Sequence, residues 1–304
     1  DLLLFKQIKY VKLKLISKIK RAKQMLNVAK IVTKPNVFHS LTGMSPTKFK
    51  LLLQKLEVLW QESEFKRKNY SGRKRKIGGG RKRKLTLEQS LFLLLMYYRT
   101  YVNHLFLGMI GNIDDSKICK YFALLEPLLA EEFRVPERKI NLSKEEILEL
   151  IVDATEQPSQ KRPGSGYSGK KKRQTVKTQI HVNIKGKIKS VSKSYAGNVH
   201  DKKVYDQART IVTIQDNPSK VNIKADLGYL GTKCEIPIKS SKYHQLSDKE
   251  KKHNQKLSKV RIKVEHVFSY IKKFHILSDI YRNNISKYNL IFKNICGLRN
   301  FITE

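Results

Sequence analysis

Two acidic residues follow stretches that predict buried strands, and a third lies on a long predicted helix. Asp153 comes directly after the apolar run 147–152, Asp226 comes after the alternating stretch 221–225, and Glu265 lies on the helix. Carboxylates that meet in this way can share two divalent cations, one activating water or a 3′-hydroxyl and the other stabilising the leaving oxygen. The residue types therefore predict phosphodiester chemistry, although each carboxylate taken alone is better explained as a surface group.

The predicted helix that carries Glu265 has one polar and one apolar face. Arg261 lies four residues before Glu265 and Lys272 seven residues after it, so the three share one face. A separate apolar stripe, which could dock on a sheet, consists of Val260, Val264, Val267, Phe268 and Ile271. A helix buried along that stripe would present Arg261 and Glu265 at the strand ends. The alternative is a simple surface ion pair, with Lys272 incidental.

Two further acidic residues compete for a role in the same site. Glu156 follows Asp153 by three residues and is expected to support the metal ligands rather than to be one. Asp201 stands at the start of a helix predicted to end near residue 212, where an Asp is expected to cap the helix. Both are therefore placed outside the predicted metal site.

The region from about residue 140 alternates between strand and helix patterns. Strands are predicted over 147–152, 176–184, 187–195, 221–225 and 236–238, and helices over 201–212 and 247–274. Three strands, a helix, two strands and a helix is the order of a ribonuclease-H-like α/β domain with a mixed sheet. We therefore predict a catalytic domain over residues 140–304.

The region before the strands has the outline of an all-α DNA-binding domain, predicted over residues 37–135. Ser45–Pro46 is a good helix start, and the Thr86–Gln89 capping box opens a second helix. Helices are predicted over 87–100, 102–110 and 114–125, with a turn at Gly111–Asn112 and a stop before Pro127. This order is typical of a helix-turn-helix, whose last helix would offer Lys117 and Lys120 to DNA; a purely structural hairpin is the alternative.

The chain carries 63 Lys and Arg against 26 Asp and Glu, a formal net charge of +37. Such a charge predicts a polyanionic partner, nucleic acid before any other, although RNA-binding proteins are equally basic. The tract 66–84 and the loop 161–173 are predicted to contact the DNA backbone, with solvated linkers as the alternative. The predicted contact residues there are Arg73, Lys74, Arg75, Lys76, Arg81, Lys82, Arg83, Lys84, Lys170, Lys171, Lys172 and Arg173.

Three features of the sequence indicate the cellular environment of the chain and the nature of its N-terminal segment. Cys119, Cys234 and Cys296 form no C-x-x-C pair, which predicts neither disulfides nor a zinc cluster and suits a reduced intracellular protein. No apolar run approaches the roughly 20 residues of a membrane span. Residues 1–36 are lysine-rich, lack clear caps and begin with Asp. They are expected to be a basic extension, either disordered or an amphipathic helix, or part of an over-extended reading frame.

Four short motifs occur in order along the second half of the chain. They are Ile-Val-Asp-Ala-Thr-Glu over 151–156, Gly-Asn-Val-His-Asp over 197–201, Ala-Asp-Leu-Gly-Tyr over 225–229 and Val-Arg-Ile-Lys-Val-Glu-His-Val-Phe over 260–268. Together they resemble the DDE transposases of the bacterial insertion-sequence-five group and, more distantly, the harbinger-type nucleases. The likeness covers residues 38–304.

The resemblance implies a ribonuclease-H-like fold and a set of catalytic residues. The three metal ligands of the family and two companions on the Glu helix correspond to Asp153, Asp226, Glu265, Arg261 and Lys272. Two divalent cations, Mg²⁺ or Mn²⁺, are implied as cofactors. Where the family signature has a Tyr three residues before the Arg, this chain has Ser258, a departure that leaves the triad in place.

The expected function is that of a transposase, which cleaves DNA at the ends of its element and joins the freed 3′-hydroxyl to target DNA. The expected partners are these DNA segments and at least one further copy of the chain, because two ends must be brought together. No membrane partner is expected, and the expected location is the bacterial cytoplasm, at the nucleoid. The alternatives are a transposase-derived DNA-binding protein without nuclease activity and a general RNA-binding protein, and the intact carboxylate motifs argue against both.

Overall fold

The structure, a computed structural model, describes residues 26–70, 72–73, 83–142, 149–214, 221–241 and 243–304. The chain divides into two compact units, residues 1–128 and residues 129–304. Five of the predicted DNA-contact residues lie outside the described residues, namely Lys74, Arg75, Lys76, Arg81 and Lys82. Across the described segments, none of the helices is long and apolar enough to cross a membrane.

The first unit is built from helices whose starts follow from the local sequence. Its helices are α1 (Val28–Val32), α2 (Pro35–Thr42), α3 (Pro46–Lys68), α4 (Leu87–Thr100), α5 (His104–Gly111) and most of α6 (Asp115–Phe133). The Ser45 hydroxyl accepts the Lys48 N–H at 3.3 Å at the start of α3. Thr86 and Gln89 exchange hydrogen bonds of 3.1 Å between side chain and backbone at the start of α4. Both predicted starts are confirmed.

Helix α4 is the centre of this unit, because its residues 90–98 are all buried. The Phe38 ring of α2 packs against Phe49 of α3 and Phe92 of α4, with ring centroids 5.1 and 5.6 Å apart. Val28 of α1 is buried as well. The described part of the predicted N-terminal extension is therefore ordered into a helix that packs within the unit.

Helix α6 is longer than the sequence predicts. The predicted end near Leu125 is wrong, because the helix continues through Pro127 to Phe133. A proline inside a helix removes one backbone hydrogen bond, here the one to the carbonyl of Ala123. Leu125 and Leu129 are buried on either side of the proline, so packing of this stripe offsets the loss.

The second unit is a mixed α/β structure around a five-stranded sheet. Its elements are β1 (Lys139–Leu142), β2 (Glu149–Pro158), β3 (Gly166–Ser168), β4 (Arg173–Asn183), β5 (Ile188–Ala196), α7 (Asp201–Ala208), β6 (Ile211–Ile214), β7 (Asn222–Lys224), α8 (Asp248–Ile271) and α9 (Tyr288–Thr303). β4 lies inside the sheet, antiparallel to β2 along one edge and to β3 and β5 along the other. β7 adds to β2 as a parallel strand, and β1 and β6 form a separate parallel pair. The predicted mixed sheet is confirmed.

Helix α8 has the start and the two faces that the sequence predicts. The Ser247 hydroxyl accepts the Glu250 N–H at 3.3 Å, and the Glu250 carboxylate accepts the Ser247 N–H at 2.8 Å. Val264, Val267 and Ile271 are buried, and the helix packs against β2. The apolar stripe therefore docks on the sheet and fixes the rotation of α8 about its own axis.

Two predicted elements, the helix 201–212 and the strand 236–238, are wrong. Helix α7 ends at Ala208, because Arg209 takes the left-handed conformation (φ 45°) and the β-branched stretch Ile211–Ile214 forms β6 instead of more helix. Residues 236–238 form no strand. Glu235 makes one isolated bridge to β7, so pairing stops where the sequence predicts it to begin.

Candidate active site

Strand β2 carries Asp153 inside the sheet, whereas the sequence predicts this acid at a strand end. The strand continues to Pro158 because β4 pairs with it that far. The parallel neighbour β7 stops earlier, and its last ladder pair joins Lys224 to Ile151. Two residues beyond that pair are Asp226 and Asp153. Asp226 therefore lies just past the end of β7 and Asp153 at the matching position of β2, at the point where β7, about 4.8 Å from β2, leaves the sheet.

A small apolar cluster holds the backbone next to the two acids. Val152 and Ala225, the residues directly before them, are buried together with Tyr229 and Cys234. The Ala225 N–H also donates to the Glu235 carbonyl at 2.9 Å. Packing and hydrogen bonding together fix both strands at this point, so the spacing of the acids is set before any ligand arrives.

The turn that follows β7 orients the side chain of Asp226. One carboxylate oxygen accepts the Gly228 N–H at 2.5 Å and so caps the short 3-10 turn Leu227–Tyr229. The other oxygen lies 3.7 Å from the Arg261 guanidinium. Arg261 Nε is buried and has no hydrogen-bond partner among the described residues. The guanidinium therefore keeps an unused donor next to Asp226.

The surroundings of Asp153 disfavour its ionised form. Burial raises the pKa of Asp153 to about 6, and the nearby charges of Asp226 and Asp201 act in the same direction. The Ala154 N–H, which donates to the carboxylate at 2.7 Å, and the positive charge of Arg261 act in the opposite direction. A cation placed beside these carboxylates would relieve the repulsion between them.

Glu265 is the member of the predicted triad that the structure leaves apart. It lies on α8, four residues after Arg261, and its side chain is exposed. In the part of the chain that the structure describes, no three Asp, Glu, His or Cys side chains are grouped closely enough to hold a metal ion. The strands thus bring Asp153 and Asp226 together, and the third predicted ligand does not join them in this arrangement.

Lys272, at the C-terminal end of α8, borders a cavity of about 340 Å³. Partial burial of its ammonium lowers the pKa of Lys272, the charge of Lys171 lowers it further, and the charge of Asp153 opposes both. The cavity is lined by Glu156, Pro158, Lys171, Arg173, Lys272, Leu277 and Ser278. Three cations and one carboxylate around the same space make an environment that favours an anion.

The remaining predicted DNA-contact residues are either exposed or already engaged. The exposed ones are Lys84, Lys117, Lys120, Lys170 and Lys172. Arg83 instead lies over the Trp60 ring, 5.0 Å from its centroid, and forms an ion pair with Glu64. The Arg73 guanidinium donates to the Lys68 carbonyl at 2.7 Å. These two arginines therefore contribute to packing and local structure in their own unit.

A buried acid–base cluster was not apparent from the sequence. The prediction that Asp201 caps its helix is wrong: His200 is the N-cap residue of α7, and Asp201 is the first helical residue. An oxygen of Asp201 instead lies 2.9 Å from Lys177 Nζ, which is also 3.2 Å from Glu156. The signal in the sequence is a lysine inside the apolar alternation of β4, because a buried lysine needs acidic partners.

Two known families match the chain in the regions just described. Residues 152–300 match the family described as DDE superfamily endonuclease, and residues 83–134 match the helix-turn-helix of DDE superfamily endonuclease. The first match contains Asp153, Asp226 and Glu265, and the second contains α4 to α6. The chain belongs to the DDE superfamily of endonucleases.

Two relatives agree with these family matches. A probable transposase for insertion sequence element IS702 from Microchaete diplosiphon is 27% identical over 296 residues, which cover 93% of this chain and 98% of the relative. A putative transposase for insertion sequence element IS112 from Streptomyces albus G is 27% identical over 249 residues, 81% of this chain and 88% of the relative. No solved structure matches the chain significantly.

Proposed function

We propose that this chain is the transposase of an insertion sequence, which cuts DNA at the ends of the element and joins the freed 3′-hydroxyl to target DNA. The observation that carries the proposal is the β2–β7 ladder inside the endonuclease match, whose last pair, Ile151 and Lys224, is followed two residues later by Asp153 and Asp226. The names of the two relatives support it. The helix-turn-helix match supports DNA as the partner.

Divalent cations, two Mg²⁺ or Mn²⁺ ions, are the proposed cofactors. Asp153 and Asp226 would hold them through carboxylate oxygens, the ligands that hard cations prefer, and Glu265 is the proposed third ligand. The residues fit such a group, because two carboxylates come together where β7 leaves the sheet and the charge of Asp226 acts on Asp153. When bound, the cations would activate water or a 3′-hydroxyl and stabilise the leaving oxygen.

Basic residues on α8 and the β3–β4 hairpin would position the DNA. Arg261 offsets part of the charge of Asp226. Lys171, Arg173 and Lys272 would bind backbone phosphates at the cavity that they line. Phosphates held there would fix the scissile bond relative to Asp153, which lies close enough to influence the charge of Lys272.

Three finer features belong to the same proposal. The second unit is proposed to be ribonuclease-H-like, with a catalytic domain over 140–304 and a DNA-binding domain over 37–135. Lys117 and Lys120 would face DNA from the exposed side of α6. A homodimer or higher oligomer would bring the two element ends together on chromosomal DNA.

The test is cleavage of supercoiled DNA that carries the element ends, with Mg²⁺ present or removed by chelation. We expect the parent chain to nick this DNA only with Mg²⁺, and a variant combining Asp153→Asn, Asp226→Asn and Glu265→Gln to bind the DNA without cutting it. Asp206→Asn, which removes an exposed carboxylate of α7, is the matched control and should cut normally. DNA binding without any Mg²⁺-dependent cleavage by the parent would contradict the proposal and favour a DNA-binding protein.

A further inference from the structure

Lys177 is a buried lysine with a full set of hydrogen-bond acceptors. It lies on β4 with 6% of its surface exposed. Its ammonium is 2.9 Å from Asp201 Oδ1 and 3.2 Å from Glu156 Oε1, and it donates to the Val199 carbonyl at 2.7 Å. An ammonium has three hydrogens, so each can serve one acceptor. Lys177 therefore has no donor left for DNA, and its role lies in what it holds.

The acceptors of Lys177 come from two different parts of the fold. Glu156 is its direct ladder partner on β2, the strand that carries Asp153. Val199 and Asp201 belong to the segment that leads into α7. Lys177 thus links the start of α7 to the sheet. Its interaction with Asp201 fixes the position of one carboxylate oxygen of that residue.

Gly228 connects the other oxygen of Asp201 to the active site. A Cβ atom added to Gly228 would lie 2.9 Å from Asp201 Oδ2 and 2.9 Å from Asp226 Oδ1. The two carboxylate oxygens therefore lie no more than twice that distance apart, and a side chain at position 228 would displace them. Gly228 also donates its N–H to Asp226, so this one residue is bonded to Asp226 and lies beside Asp201.

We propose that Lys177 is a positioning residue of the nuclease: it holds Asp201 beside Gly228, and Asp201 in turn keeps the Asp226 carboxylate in place next to Asp153. The role of Lys177 in catalysis rests on the proposed function, since it assumes that Asp153 and Asp226 hold the cations. Asp201 supports the cation site from outside it, since its own Oδ1 is occupied by Lys177. Gly228 supplies the space that lets the two carboxylates stand this close.

A second buried lysine of the same sheet provides the contrast. Lys224 lies on β7, and its ammonium is 2.7 Å from Glu149 Oε1 at the start of β2. This pair joins the same two strands that carry Asp153 and Asp226. Glu149 lies at the opposite end of β2 from Glu156, away from Gly228. Loss of its carboxylate therefore removes a comparable ion pair without touching the proposed path.

The main test is Mn²⁺ binding by the full chain without DNA, measured by calorimetry, together with the Mg²⁺ concentration needed for half-maximal cleavage. We expect Asp201→Asn and Gly228→Ala each to weaken Mn²⁺ binding and to raise the Mg²⁺ requirement about 10- to 100-fold, as residues that orient metal ligands do. An Asn at 201 can still accept the Lys177 hydrogen bond, so the fold should persist, but it has no charge and carries an NH₂ group in place of the Oδ2 that lies near Gly228. The control Glu149→Gln should change neither quantity.

If Asp201→Asn binds Mn²⁺ as tightly as the parent and needs no more Mg²⁺ for cleavage, the proposal is overturned. Equal losses in Asp201→Asn and in the control Glu149→Gln would overturn it too, because they would show general destabilisation of the sheet.

A second readout does not depend on metal. Hydrogen exchange in the turn 227–229 should be faster in Lys177→Met than in the parent and should recover in Lys177→Arg, which keeps the charge. If Lys177→Met does not fold, Asp201→Asn is compared with the parent instead. A parent chain that neither binds Mn²⁺ nor cuts DNA contradicts the transposase proposal, and the exchange result then decides the positioning proposal alone. Unchanged exchange in this turn would overturn it.

Discussion

The two sides of the candidate active site are held by different kinds of interaction. On the strand side, the β2–β7 ladder and its register fix Asp153 and Asp226 beside each other. On the helix side, the buried stripe of α8 docks on the sheet, while the side chain of Glu265 is exposed. A ladder register defines position to within one residue, whereas a docked helix leaves its outward side chains free to turn. Two of the proposed ligands are thus prearranged, and the proposed third would have to be brought to them.

On the strand side, repulsion between carboxylates and partial burial disfavour the ionised form of Asp153. Asp153 is partly buried near two other carboxylates, and its pKa rises accordingly. Glu265 is exposed, so water stabilises its charge. Such a distribution is expected of a cation site, where the cost is offset only when the ion binds.

The largest expected effect separates the strand ligands from the helix ligand. Asp153→Asn and Asp226→Asn should abolish cleavage, a loss beyond the about 10- to 100-fold typical of residues that only orient ligands, and should also abolish Mn²⁺ binding without DNA. Glu265→Gln should abolish cleavage too, yet retain most Mn²⁺ binding without DNA, because Glu265 stands apart from the prearranged pair. Calorimetry and plasmid nicking measure the two quantities. Equal loss of Mn²⁺ binding in all three variants would mean that Glu265 is already in place.

A smaller effect concerns how the DNA is held beside the helix end. Replacing Lys171, Arg173 and Lys272 together by Gln should weaken binding to all DNA sequences and lower the log–log salt slope by about 0.9 for each phosphate that is no longer neutralised. The matched control neutralises Lys249, Lys252 and Lys256, exposed residues in the first half of α8. Fluorescence anisotropy at several salt concentrations gives both slopes. Identical slopes for the two triple variants would assign the effect to net charge and not to the cavity.

Local signals account for the features that could be predicted from the sequence. The capping boxes at Thr86–Gln89 and Ser247–Glu250 each lie within four residues, so helix starts are readable without tertiary information. The apolar stretches before Asp153 and Asp226 predict two strands that each lead to an acid, and the β2–β7 pairing confirms that these strands are neighbours. Local sequence patterns are therefore sufficient to predict the two strands that lead to Asp153 and Asp226.

Interactions between distant residues decided what the sequence could not predict. β2 runs past Asp153 only because β4 offers a partner as far as Thr175. Asp201 looks like a helix cap until Lys177, 24 positions earlier, takes its carboxylate. The exposure of Glu265 depends on the rotation of α8 about its own axis, which the docked apolar stripe sets. In each of these cases the outcome depends on a packing partner that no local pattern identifies.

A moderate effect on stability should appear on the strand side alone. The raised pKa of Asp153 means that the folded state loses stability as pH rises from about 4 to about 6, and the full penalty remains above pH 6. Asp153→Asn removes the charge, so the variant should be more stable than the parent at pH 7 to 8 by about 1 to 3 kcal/mol without metal, and no more stable near pH 3.5. Urea unfolding at both pH values measures this. Glu265→Gln is the control and should match the parent throughout; a neutral or destabilising effect of Asp153→Asn at pH 8 would contradict the assigned environment.

The smallest expected effect tests whether the helix side depends on its own cap. Ser247→Ala removes the hydroxyl that accepts the Glu250 N–H, which should cost about 1 kcal/mol and speed hydrogen exchange in the first turn of α8. Exchange in β2 around Asp153 should not change, because ladder hydrogen bonds and not the cap hold that strand. Cleavage should also persist, since Val264, Val267 and Ile271 still dock the part of the helix that carries Glu265. Loss of cleavage comparable to that of Glu265→Gln would show that the whole helix moves as one body, and the helix ligand would then be as firmly prearranged as the strand ligands.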